Sequence, residues 1–273
     1  SITFTTLAGY VISKGVVDST LFLVLLGVFL LAAGASTINH IVERRTDALM
    51  PRTKNRPLHS GRMSVLQASI WASLFIISGT AVLLIFTNPV CVSLGIFNAM
   101  WYNLVYTPLK KISVWAVFAG TITGIIPYFM GVLAATNQIP NAADYFIGFY
   151  MFLWQIPHFL SLAWMYKKDY ARAGFKMLPV VDDSGRKTSL HILLSTAFLI
   201  CLTVFVTWNG LAGFWYLACA ILLGAGFLSY AFMFRRSTLA NLPADANIYA
   251  RRVFFASLVY LPALMVALVA DKL

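Results

Sequence analysis

Charge is scarce in this sequence. Only 11% of its 273 residues are Asp, Glu, Lys or Arg, whereas 60% are hydrophobic and the mean hydropathy is +0.81. A soluble domain carries about a quarter charged residues, so the deficit excludes a water-exposed globule of this length. Most of the chain must face lipid or other helices. Acid is the rarer sign, nine Asp and Glu against twenty Lys and Arg, for a net charge of +11. In a soluble chain that excess would suggest nucleic acid. Here the basic loops of a membrane protein account for it, and no nucleic-acid partner is expected. Cysteine is also sparse. Cys91, Cys201 and Cys219 fall in or beside apolar runs, show neither CxxC nor His-paired spacing, and read as small buried hydrophobes. No cleavable signal peptide is evident. The chain begins at Ser1 with a short first apolar run, and further N-terminal residues are expected in the natural protein.

What the sequence does have is apolar runs, near residues 2–12, 21–42, 65–86, 90–106, 114–135, 142–165, 191–208, 213–234 and 253–270. Open sheets cannot satisfy their backbone in lipid. The expectation is therefore an all-α integral membrane fold of nine transmembrane helices in a bilayer, with residues 1–273 forming one domain. The connections alternate in character. All Lys and Arg except Lys14 and Lys272 fall after the second, fourth, sixth and eighth runs. The positive-inside rule then places the N-terminus inside and the C-terminus outside.

Two basic loops, about residues 43–64 and 167–190, resemble each other. Asp47 precedes Pro57 and Ser60-Gly61-Arg62; Asp169 precedes Pro179 and Ser184-Gly185-Arg186. This reads as a weak repeat of four-helix units plus one extra helix, with the two loops capping a site between the halves.

Asn39, Glu43 and Asp47 recur at i, i+4 and i+8, which puts three oxygen-bearing side chains on one helical face. Such a row can hold a hard cation, most naturally Mg²⁺, which is usually shared with substrate phosphates. The plainer alternative is a polar helix end with Glu43 and Asp47 paired to Arg44 and Arg45. Arg52, Lys54 and Arg56 follow directly, and cations beside metal ligands suit a metal–diphosphate complex. A positive-inside cluster would explain their charge but not the acidic row before it. In the second loop Lys168, Asp169, Arg172 and Lys176 occupy the matching place. Asp169 is the counterpart of Asp47, and its alternative is a salt bridge to Lys168 or Arg172. The counterpart of Glu43 is Met165, which cannot bind Mg²⁺. His158, eleven residues before Asp169, falls on the same helical face and deeper in the bundle. An ionisable group there is a functional candidate, with a packing histidine as the alternative.

At these residues the chain resembles the UbiA superfamily of intramembrane prenyltransferases. The superfamily's first aspartate-rich motif, N-D-x-x-D-x-x-x-D, corresponds to Asn39-His40-Ile41-Val42-Glu43-Arg44-Arg45-Thr46-Asp47. Arg52-Thr53-Lys54-Asn55-Arg56-Pro57, Tyr106-Thr107-Pro108-Leu109-Lys110 and Trp154-Gln155-Ile156-Pro157-His158-Phe159 resemble its haem-farnesylating branch. The departures are His40 in place of the usual acid, Glu43 in place of Asp, and the thinned second motif. The resemblance implies transfer of a farnesyl group from farnesyl diphosphate to a vinyl group of haem B, with addition of water. It implies Mg²⁺ on Asn39, Glu43, Asp47 and Asp169. The diphosphate would fall to Arg52, Lys54, Arg56, Lys110, Lys168, Arg172 and Lys176, with His158 assisting water addition or meeting the haem. A quinone precursor or other lipid is the alternative acceptor. A bacterial inner membrane, a cytoplasmic active face, and haem A synthase or terminal-oxidase assembly factors as partners are also implied.

Overall fold

The computed structural model describes residues 2–272, and no strand occurs among them. The helices are α1 (Ile2–Lys14), α2 (Ser19–Val42), α3 (Arg44–Asp47), α4 (Val65–Phe86), α5 (Pro89–Met100), α6 (Thr107–Ile112), α7 (Ala116–Thr136) and α8 (Ala142–Met165), followed by α9 (Lys167–Arg172), α10 (Leu178–Val181), α11 (Arg186–Trp208), α12 (Phe214–Leu239) and α13 (Pro243–Lys272). A π-helical segment, Trp101–Tyr106, joins α5 to α6.

Among the described residues seven helices are long and apolar enough to cross a membrane: α2, α4, α7, α8, α11, α12 and α13. The other two expected spans are also helical. α1 has 13 residues, about 20 Å of rise against the roughly 30 Å of a bilayer core. The run at 90–106 is helical throughout, but the π segment divides it. Apolar side chains cover the outer faces, as at Leu66, Ile77, Ile85 and Leu222.

Local signals place the helix starts. Asp18 caps α2 by accepting from Leu21 N at 3.1 Å. Ser64 and Gln67 form a reciprocal capping box at α4, and Asn88 accepts from Cys91 N to open α5.

The chain divides into two compact units. The first holds the residues up to Asp144 together with Lys168–Lys176. Its core gathers Tyr10, Leu21, Val24, Val28, Leu31, Leu83, Ile126 and Met130. In it α2 lies against α4 at backbone contact. A Cβ on Gly79 would stand 2.7 Å from Leu31 N and 2.8 Å from Gly27 O. Small residues at such a crossing let dispersion hold two helices together where lipid offers no hydrophobic drive. This contact fixes α2, the helix that carries the acidic row.

The second unit holds Tyr145–Lys167 and the residues from Met177 onward. Its helices are tied by Trp154 Nε1 donating to Ser257 O at 2.8 Å, Trp164 Nε1 to Asn247 Oδ1 at 3.0 Å, and a Ser189–Thr238 hydroxyl pair at 2.7 Å.

Candidate active site

The acidic row survives the end of α2. The helix stops at Val42, yet Glu43 N donates to Asn39 O and Asp47 N to Glu43 O, each at 2.8 Å, so the four-residue spacing continues into α3. Asn39, Glu43 and Asp47 are all buried in the first unit, 4%, 5% and 2% exposed. Burial at this level requires partners, and the partners differ from those expected at the alternative polar helix end. Arg44 donates to Ile41 O instead of pairing with a carboxylate. Asp47 is bound by Arg56, and Glu43 by Lys110.

Loop structure brings Arg56 back. Thr53 Oγ1 donates to Asp47 O at 2.7 Å, and Arg56 N donates to Thr53 O at 3.0 Å, so the chain after α3 folds over its own start. Lys110, in α6, reaches Glu43 with Nζ 2.8 Å from Oε2, as a hydrogen bond, and 2.7 Å from Oε1. Its ammonium also stands 5.1 Å from the ring centroids of both Tyr106 and Phe175.

Phe175 arrives from the Lys168–Lys176 stretch. Gly174 has φ of 73°, which glycine adopts without Cβ strain, and there the chain turns back. Lys176 N then donates to Lys110 O at 2.7 Å. Asp169, 18% exposed, pairs with Arg172 at 3.6 Å. Lys54, Lys168 and Lys176 are exposed around the rim, as is Arg52.

Asn39 is oriented by a residue that sequence reasoning left without a role. Its Nδ2 donates to Thr107 Oγ1 at 2.8 Å, and Thr107 Oγ1 donates in turn to Tyr102 O at 2.8 Å. Thr107 is 1% exposed. The signal lay in the Tyr106–Lys110 motif already quoted; Phe175 had none.

The donor chemistry fits Mg²⁺. Among the described residues no three His, Cys, Asp or Glu side chains form a closed metal cage. Two carboxylates and an amide oxygen in one row suit a cation that keeps waters and shares phosphate oxygens. Glu43 Oε1 is buried and receives no hydrogen bond despite its contact with Lys110, which leaves it lone pairs to offer. A cavity of about 400 Å³ opens beside Asp47 and Arg56, lined also by Thr37, His40, His59, Trp71 and Phe75.

His158 belongs to the second unit. Its Nδ1 lies 2.8 Å from Ser257 Oγ, and its ring stacks between Trp154 and Phe254 at 5.0 and 4.9 Å. α8 ends at Met165 and Asp169 stands on the separate helix α9, so the expected common helical face does not connect them.

A sequence model of the UbiA prenyltransferase family matches residues 2–267. A protein of Koribacter versatilis (strain Ellin345) called protoheme IX farnesyltransferase is 35% identical, over 94% of this chain and 82% of its own length. One of the same name from Salinibacter ruber (strain DSM 13855 / M31) is 35% identical over 99% of this chain and 93% of its own. Among solved structures, one of a digeranylgeranylglyceryl phosphate synthase matches with a TM-score of 0.78 at 18% identity, covering 98% of this chain and 93% of that one. A UbiA homologue from Archaeoglobus fulgidus, bound to GPP and Mg²⁺, matches with a TM-score of 0.68 at 16% identity, covering 98% and 94%. These two structures support the fold alone.

Proposed function

Because the chain belongs to the UbiA prenyltransferase family, we propose that it transfers a farnesyl group from farnesyl diphosphate to a vinyl group of haem B. The products are haem O and diphosphate. The C–O bond to the diphosphate breaks, a C–C bond forms at the vinyl group, and water supplies the new hydroxyl, its other proton leaving with the diphosphate. The names of the full-length bacterial relatives support haem B as the acceptor. The observation that carries the chemistry is the buried row of Asn39, Glu43 and Asp47, met by Arg56 and Lys110.

In this reading Asn39, Glu43 and Asp47 hold Mg²⁺, with Asp169 contributing from α9. The metal supplies charge neutralisation that helps diphosphate depart. Arg56 and Lys110 take diphosphate oxygens at the centre, where their donors are desolvated and strong. Arg52, Lys54, Lys168, Arg172 and Lys176 gather the anion from the rim. The rings of Tyr106 and Phe175 shield an allylic cation from water and stabilise it through their faces. The apolar lining of the cavity beside Asp47 suits a prenyl tail. His158 enters no step here, since its ring is spent on packing.

We further propose nine membrane crossings, counting α1 and the divided 89–112 segment. The N-terminus then lies inside, and the active face is the cytoplasmic face of a bacterial inner membrane.

Purified enzyme given Mg²⁺, farnesyl diphosphate and either haem B or a quinone precursor tests the proposal by product mass. Haem O is the expected product. Asn39→Lys and Asp47→Ala should abolish it while the protein still inserts. A prenylated quinone precursor with no haem O would replace haem as the acceptor. Normal haem O from either variant would remove the acidic row from the mechanism.

A further inference from the structure

Glu43 is a buried carboxylate with both oxygens within 2.8 Å of one ammonium, that of Lys110. A charge this desolvated needs a counter-charge at all times. Mg²⁺ on the open lone pairs of Oε1 would stand close to the Lys110 ammonium, and two cations that near repel each other in a poorly screened site, which weakens the hold on Lys110. The backbone of Lys110 is held independently, its carbonyl accepting from Lys176 N at 2.7 Å. Its side chain is a flexible four-carbon stem ending in a point charge. The ammonium can therefore leave Glu43 while the main chain stays in place, and the Tyr106 and Phe175 rings remain around its path.

Resting on the prenyl-transfer reading above, we propose that Lys110 is a resident cation that Glu43 exchanges for Mg²⁺. Lys110 neutralises Glu43 in the metal-free enzyme. On metal binding it gives the carboxylate up, and its freed ammonium turns to the diphosphate. Arg56 on Asp47 stands in the same relation. Metal binding thereby creates the anion site, and diphosphate in turn draws away the cation that competes with the metal. The two ligands are thermodynamically coupled, and by linkage each favours the other.

Two opposite signs test this. Lys110→Met removes the competitor, so Mn²⁺ binding without diphosphate, followed by electron paramagnetic resonance, should tighten about tenfold. Pyrophosphate binding at saturating Mn²⁺, corrected for the complex formed in solution, should weaken on the order of tenfold. A variant that had merely lost its fold would weaken both. Unchanged or weaker Mn²⁺ binding in Lys110→Met overturns the proposal, as does absence of Mn²⁺ binding in both proteins. The wild type gives a second readout: Mg²⁺ should raise the labelling of Lys110 by an amine-reactive reagent several-fold, and unchanged labelling overturns the exchange. Neither measurement contains haem B. Exchange without haem O formation would therefore remove the acceptor assignment and leave the switch standing.

Discussion

The amide of Asn39 donates to the hydroxyl of Thr107, which donates in turn to the carbonyl of Tyr102. The chain of bonds decides which end of the Asn39 amide is free. With nitrogen engaged, oxygen is the group left to face a cation. Thr107→Val keeps the shape but strands a buried donor, at a cost of about 1–3 kcal/mol. The expected result is a higher Mg²⁺ concentration at half-maximal product formation, with Thr107→Ser restoring it. Equal loss in both variants would reduce Thr107 to a packing role.

Arg56→Ala should destabilise the metal-free protein. Asp47 is 2% exposed and would be left buried without its counter-charge. Breaking a fully buried pair costs about 3–5 kcal/mol, and the partial exposure of Arg56 lowers the expectation to about 1–3 kcal/mol. Thermal unfolding checks it, with Mg²⁺ expected to recover part of the loss by taking over as counter-charge. No recovery would argue against metal at Asp47.

His158→Phe keeps the ring between Trp154 and Phe254 and removes the contact with Ser257. A loss of about 1 kcal/mol in stability is expected, with haem O formation close to wild type. Loss of product at unchanged stability would return His158 to the chemistry.

Acid should loosen the turn between α1 and α2. Asp18 accepts from Lys14, Tyr10 and Leu21 N, and the hydrogen bond from Lys14 is the largest of the causes that hold its carboxyl at about 2, below the ordinary 3.8. A depressed carboxyl stabilises the fold above its unfolded value and ceases to do so as pH falls through the folded one. The stability difference between wild type and Asp18→Ala should therefore be full near pH 5 and vanish near pH 2. A pH-independent difference would refute the assignment.

Much of this was legible in the chain. The apolar runs marked the helices, and the Asn39, Glu43 and Asp47 spacing was regular enough to survive a helix break. The partners were not legible. Adjacent Arg44 and Arg45 were the obvious counter-charges, but consecutive helical residues point apart. The actual partners are nine positions away at Arg56 and 67 away at Lys110. Charge pattern alone made Lys110 one more positive-inside lysine, because loop charge and site charge have the same sign; the resemblance assigned it to the diphosphate, and its pairing with Glu43 was not legible. Two of the expected spans are not among the seven helices long and apolar enough to cross a membrane, for different reasons. α1 is brief, and the 90–106 run changes its helical type midway, which hydropathy does not register.

That change of type carries a consequence for length. A π segment holds a residue more than an α-helical stretch making the same hydrogen-bonded turn. Were all the residues from Trp101 to Tyr106 wound as α-helix instead, everything beyond them would swing by about 100°. Thr107 would then leave Asn39 and Lys110 would leave Glu43 in a single step. The extra residue is thus absorbed without turning the helix, and the π geometry is part of the active site.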